Sequence, residues 1–246
     1  MGIQADITEQ KRWERLFEVL NRVLRHNLRN DMGVISGRSG FLVDGDQSDP
    51  AQFGKMVKRK SDDLIELSEQ ARKLEQIARR DAEPTRVDPN SLITNVIESY
   101  RDEYPEMTFD VSIQTDRDIC AGREIEDAIS ELIENAAKHN TATEPRVTIG
   151  LRDDGESLLL SIEDNGPGIN EMEANVISKG EETALEHGSG LGLWLVNWIV
   201  TRYGGSFQIE PSDDPENGTR ALVRVPGLTD EAQVTDVAQR PTILFW

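Results

Sequence analysis

The chain has 246 residues, enough for one or two domains with a real core. Its net charge is −19, from 46 acidic and 27 basic residues, which argues against DNA or an anionic membrane as partner because either needs a cationic face. No stretch of about 20 apolar residues is present to span a bilayer, and the lone Cys120 permits neither an intramolecular disulfide nor a cysteine-based metal cluster. The opening MGIQADITEQKRWER lacks the apolar core of a signal peptide, and Gly2 lacks the Ser or Thr that myristoylation needs, so a reducing cytoplasm is the expected location. The basic residues comprise 7 Lys and 20 Arg. An acid-rich chain that prefers Arg to Lys fits a salt-adapted, halophilic cytoplasm, where a Debye length of about 3 Å at 1 M salt screens self-repulsion.

Residues 8 to about 80 carry almost no strand signal. Trp13, Phe17, Leu20, Leu24 and Leu28 lie on one stripe of a first helix that continues through Val34 and Ile35. GRSGFLVDGDQSDP then reads as a helix-to-helix turn, rich in Gly, Asp and Pro. In the second helix, Phe53, Val57, Lys60, Leu64, Leu67, Ala71, Leu74 and Ala78 form a heptad seam with one polar interruption at Lys60. Residues 1–82 are therefore expected to form an antiparallel helical hairpin. Two helices cannot enclose a core alone, so a second copy completing a four-helix bundle, a homodimer, is expected.

The texture changes after AEPTRVDPNS, where Pro84 and Pro89 mark a short linker and Ser91 is placed to cap a helix running to about Glu103. A strand (MTFDVSIQ), a helix over about 123–139 and two strands joined at Asp154-Gly155 follow. A Gly-rich loop, an apolar helix over about 189–203 and the strands GSFQIEP and GTRALVRVP complete the half. The fold class expected is α+β: the helical hairpin, then over 88–228 an α/β sandwich with a mixed, largely antiparallel sheet. Residues 229–246 form an acidic tail ending in ILFW, which reads as a docked strand, a partner contact or a frayed end.

Three stretches of the second half carry chemistry. In ELIENAAKHN, Glu131, Asn135 and Lys138 fall on one helical stripe, and Ile125, Ile129, Leu132 and Ala136 on the other. The first stripe offers hard oxygens suited to Mg²⁺ and an ammonium suited to phosphate, although a plain solvated helix face would look the same. SLLLSIEDNGPGIN runs a buried strand into Asp164, Asn165, Gly166, Pro167 and Gly168. A carboxylate there can accept from the exocyclic amine of a base while glycine lets the backbone approach, and DNG is also ordinary turn chemistry. In HGSGLGLWLVNWIV, Gly188, Gly190 and Gly192 open a helix whose first N–H groups, around Leu191, suit an anion. The polar segment between these motifs fits a flap over a ligand. Trp194 and Trp198, one helical turn apart, read as core or domain contacts, and Cys120 as a small buried apolar residue.

In their order and spacing these motifs resemble the ATP-binding domain shared by gyrase, the ninety-kilodalton heat-shock chaperone, sensor histidine kinases and mismatch-repair ATPases. ELIENAAKHN looks like the N box, DNGPG like the G1 box and GSGLGL like the G2 box, and NGTRALVRVP is similar to the closing strand. The resemblance implies Mg-ATP in a left-handed α/β sandwich, with Asn135 on Mg²⁺, Asp164 on the adenine amine, Lys138 near the phosphates and residues 171–187 as the ATP lid. Glu131 is a second candidate for the metal and His139 edges the nucleotide or caps its helix, whereas His187 reads as a lid spacer. The usual phenylalanine-containing lid box is replaced by VISKGEET.

Upstream, RHNLRND resembles the H box of sensor histidine kinases, which implies His26 as phosphoacceptor and Asn30, one helical turn on, as the residue that positions water for dephosphorylating the partner. The box departs twice: Asn27 stands where an acidic residue is usual, and Asp31 where proline is usual. Asn27 can orient an imidazole but is no base at neutral pH, and Glu131 is the candidate to assist. The expected function is a two-component histidine kinase that phosphorylates His26 from ATP and passes the phosphoryl group to an aspartate of a response-regulator receiver domain. An ATP-binding scaffold or regulator phosphatase, and a stand-alone ATPase, are the alternatives. No sensor segment precedes Glu14, so the stimulus is expected from a partner or from a longer chain.

Overall fold

The computed structural model describes residues 21, 24, 25, 28–39, 50–78, 83–169, 191–212 and 218–237. Of the predicted turn at 37–50, residues 37–39 and Pro50 are helical instead, and 40–49 lie outside the described residues, as do the lid and the ILFW tail. The chain divides into two compact units, one of Met1–Arg80 with Glu182–Gly192 and one of Asp81–Glu181 with Leu193–Trp246, the second holding the sheet.

The first unit contains helix α1 (residues 28–39) and helix α2 (Pro50–Ala78). At 1.5 Å per residue α2 is about 43 Å long. Leu67 and Leu74 of the predicted seam are buried, as are Met56 and Ile77 beside it. Lys60, the polar interruption, has a partner that its own helix does not reveal. Its ammonium lies 2.9 Å from Asp31 of α1 and 3.0 Å from Asp63, with Asp31 only 15% exposed at its side chain. The two oddities of the helical sequence, a lysine in a heptad seam and an aspartate where the H box has proline, are thus one ion pair. Leu28, Met32 and Val34 of α1 stand exposed.

In the second unit, Asp88 caps helix α3 (Pro89–Glu103), its carboxylate accepting from the Asn90 and Ser91 N–H groups with Pro at the first turn. Ser91, expected as the cap, instead donates its hydroxyl to Asp88 at 2.5 Å. Strand β2 (Thr108–Gln114), strand β3 (Asp118–Ala121), helix α4 (Ile125–Lys138) and the hairpin of β4 (Arg146–Asp154) and β5 (Ser157–Asp164) follow. Gly155 turns the hairpin at φ 66°, a conformation that suits glycine. Helix α5 (Leu191–Arg202), which belongs to this unit from Leu193 onward, strands β6 (Ser206–Pro211) and β7 (Thr219–Leu228), and a single helical turn α6 (Val234–Val237) follow.

The linker itself forms a strand, β1 (Thr85–Val87), which with β3 was not legible in the sequence. The seven-stranded sheet has the order β1-β3-β7-β5-β4-β2, with β6 also paired to β7. Among the described residues only β2 and β4 run parallel, and every other pairing is antiparallel. Alternate residues point to one core: Val147, Ile149 and Leu151 of β4, Leu158, Leu160 and Ile162 of β5, and Ala221, Val223 and Val225 of β7 are all buried. Helix α3 packs on α4 and β2, and α4 on β4 and β5. Arg86 of β1 donates to Asp118 at 2.7 Å and to the carbonyls of Thr229 and Ala232 at 3.0 and 2.8 Å, fastening the linker strand to the segment after β7. No helix among the described residues is long and apolar enough to cross a membrane.

Candidate functional site

The site grows from the end of β5 and the stripe of α4. Strand β5 is apolar on its core face, so Asp164, the next core-facing residue after Ile162, is carried inward by the two-residue period. Burial pushes its carboxyl above the usual carboxylate range, while hydrogen bonds from the Gly166 and Thr219 backbone N–H groups pull the other way. The Gly166 bond is 2.8 Å long. The result is a desolvated acceptor fixed at a strand end, suited to an amine donor.

Glycines make the room. A Cβ on Gly166 would stand 2.8 Å from Asp164 Oδ1, Gly168 adopts φ 78°, and Gly218 adopts φ 143° with its own Cβ position against the Asp164 carbonyl. The loop also depends on Asn165. Its Oδ1 accepts from the Arg146 N–H at 2.8 Å and from Asn140 Nδ2 at 3.0 Å, and its Nδ2 donates to the Glu144 carbonyl at 3.0 Å. Asn165 therefore ties the strand end to the segment that leaves α4. Asn140, Gly218 and Thr219 were not singled out from the sequence; the Asn217-Gly218 pair at the head of the closing strand was the available signal.

On α4, Glu131 is buried at 6% exposure, Asn135 is half-buried and Lys138 is exposed. The stripe is thus partly enclosed rather than a plainly solvated face. Tyr100 of α3 fixes the helix from behind: its hydroxyl donates to the Ser130 carbonyl at 3.2 Å and lies 2.9 Å from Ser130 Oγ and 3.4 Å from Glu134. Burial first, then the nearby carboxylates, push that phenol up to about 12, so it stays a donor. His139 caps the helix C-terminus, its backbone N–H bonded to the Asn135 carbonyl at 3.3 Å.

Among the described residues no group of three or more His, Cys, Asp or Glu is placed to hold a metal ion. A hard cation here would have one buried carboxylate, one amide oxygen and otherwise water or phosphate oxygens, a donor set that fits Mg²⁺ shared with a nucleotide. Of the remaining predicted residues, Asn30 lies exposed on α1, Leu191 and Gly192 begin α5, and His26, Asn27, His187, Gly188 and Gly190 lie outside the described residues.

Residues 120–229 match the family model described as histidine kinase-, DNA gyrase B-, and HSP90-like ATPase. Sensor protein SrrB of Staphylococcus aureus is 23% identical over 237 residues, covering 90% of this chain and 40% of that protein. The chain spans 21% to 40% of the length of the curated relatives it matches first. Among solved structures, a mycobacterial sensor histidine kinase, MprB, is similar with TM-score 0.52 at 26% identity, over 60% of this chain and 98% of that one. The histidine kinase ThkA, solved in complex with the response regulator TrrA, shares the fold with TM-score 0.64 at 22% identity, over 95% of this chain and 69% of that one.

Proposed function

With the ATP-binding core of the histidine kinase-, DNA gyrase B- and HSP90-like ATPases as premise, we propose that the chain works as a two-component histidine kinase. Residues 1–82 form the dimerising, phosphoaccepting helices, 88–228 the ATP-binding domain and 229–246 a tail. The observation that carries the proposal is the half-buried Asp164 carboxylate, held by two backbone N–H groups inside a glycine cradle, in the same unit as the α4 stripe. That arrangement fits adenine at Asp164. Asn135 and Glu131 would hold Mg²⁺ with the phosphates, Lys138 would neutralise them, and Gly188, Gly190, Leu191 and Gly192 would offer backbone N–H groups. When bound, the ion supplies charge neutralisation on the phosphates.

The reaction forms a phosphorus–nitrogen bond on the His26 imidazole as the bond between the γ-phosphorus and the bridging oxygen of ATP breaks, leaving ADP. Most of the acceleration in such transfers comes from positioning and charge neutralisation. Glu131 is the candidate to take the imidazole proton, because Asn27 cannot. Asn30 would place the water that hydrolyses the aspartyl phosphate of a phosphorylated partner, a response-regulator receiver, releasing inorganic phosphate. A complex of that kind is what the ThkA structure contains. The exposed Leu28, Met32 and Val34 support a second copy packed on α1.

Incubation with ATP labelled at the γ-phosphate tests the reading. Protein-bound label that is lost in acid, kept in alkali and absent from His26→Gln supports it; label that persists in His26→Gln refutes the acceptor. Asn27 favours a second reading, an ATP-binding scaffold or regulator phosphatase with weak kinase activity. Under that reading Asn27→Glu raises the labelling rate while ATP affinity stays constant.

A further inference from the structure

Glu124 is 1% exposed, yet the reaction proposed above gives it no role. It stands at the N-cap of α4, where a carboxylate ordinarily accepts from the first-turn N–H groups, but its side chain makes no capping bond. The carboxylate turns instead to the far end of α5. Oε1 accepts from Arg202 Nη1 at 3.2 Å, with 2% and 11% of the two side chains exposed, and from the Tyr203 hydroxyl. Gly122 leaves the space for this: a Cβ there would collide with the Tyr203 hydroxyl and stand 2.6 Å from Glu124 Oε2. Arg202 also lies 5.4 Å from the centre of the Trp198 ring, one turn earlier on α5. Burial, followed by the Glu124 carboxylate, pushes the Tyr203 phenol far above its ordinary range, so it remains a donor.

The helices joined in this way are the two to which the proposed function gives the nucleotide's polar contacts, and the join is at their other ends. Asn135 lies eleven residues along α4 from Glu124, and Leu191 eleven residues back along α5 from Arg202, about 16 Å each at the α-helical rise. A tilt of about 5° at the join therefore moves those ends by about 1.4 Å, and misplacement of about 1 Å costs up to about 10²-fold at a reacting site. A cap forgone, a glycine kept clear and a charge pair buried are costs that packing alone would avoid, since apolar side chains of equal volume stabilise as well or better. We propose that Glu124, Arg202 and Tyr203 are positioning residues, a pin that sets the spacing between the metal-and-phosphate end of α4 and the anion-binding end of α5. The inference rests on the nucleotide reading of the site.

The test is Mg-ATP affinity beside thermal stability on the full chain, for wild type, Glu124→Gln, Tyr203→Phe and the double variant Glu124→Gln/Arg202→Met. Ile119→Val, a buried position on β3, serves as a stability control. The expected result is a Kd for Mg-ATP raised about tenfold in Glu124→Gln and about threefold in Tyr203→Phe. The double variant should regain thermal stability but not affinity, and the control should lose stability with its Kd unchanged. Folded pin variants that bind within twofold of wild type overturn the inference and leave the nucleotide reading standing. Tyr203→Phe, which keeps the ion pair, decides the matter where Glu124→Gln does not fold. A wild-type chain that fails to bind Mg-ATP overturns both.

Discussion

Replacing Lys60 with Met probes whether its pairing with Asp31 holds α1 to α2. At 2.9 Å the gross attraction is about 6 kcal/mol for an effective dielectric near 20. Desolvation and side-chain ordering offset much of it: exposed pairs yield at most about 1 kcal/mol, and stripping a buried pair of one member costs about 3–5 kcal/mol. With side chains 26% and 15% exposed, this pair falls between, so Lys60→Met should cost about 2 kcal/mol. Asp31→Leu/Lys60→Met, which leaves no unpaired charge, should recover most of that loss. Urea unfolding followed by helical circular dichroism measures both. Hydrogen bonds to Asp31 and then Asp63 raise the Lys60 pKa above 10.5, so this stabilisation is fully present below the unfolded value and is lost as pH rises through the folded one. The gap between wild type and Lys60→Met should therefore be flat from pH 6 to 9 and close only above about 10.5. A cost below about 0.5 kcal/mol, or a gap that closes near neutrality, would refute the reasoning.

Asp164→Asn should weaken ATP binding by about tenfold to a hundredfold, the worth of one charge-assisted hydrogen bond, measurable by titration calorimetry. The same substitution should raise the thermal midpoint at pH 7, because burial raises the Asp164 pKa and folding then resists its ionisation above the unfolded value; at pH 3 the gain should vanish. Gly218→Ala forces a side chain into φ 143° and against the Asp164 carbonyl, so it should cost about 3 kcal/mol or more in denaturant unfolding and abolish nucleotide binding. Moving from 0.1 to 3 M KCl should raise the thermal midpoint by about 5 °C or more, as screening relieves the self-repulsion of a −19 chain; a midpoint that falls would contradict the salt-adapted reading.

Long, strongly patterned elements were legible in advance. The β4–β5 hairpin and α4 follow from period and turn chemistry, and Asp164 follows from its place at the end of an apolar strand. Strands β1 and β3, three and four residues long, were not, because they are strands only through pairing with each other and with the far end of β7. Asn165 lies beside Asp164 in sequence, but its bonds to Asn140, Glu144 and Arg146 across the loop were not announced by that adjacency. Ser91 fits the capping rule, but Asp88 fits it too and sits one residue ahead of a proline that suits the first helical position. Lys60 and Asp31 each looked anomalous alone, and Glu124 looked ordinary. No local pattern announces a partner 78 positions away.

Arg86 grips the strand by which the polypeptide enters the sandwich and the stretch by which it leaves, since one guanidinium reaches Asp118, Thr229 and Ala232 together. Entry and exit thus share a single doorway. A unit closed in that fashion has its two ends side by side, the geometry in which insertion into a longer polypeptide is ordinarily tolerated. Removing the stretch beyond Leu228 would deprive the doorway of two of its three acceptors and loosen the strand on its threshold first.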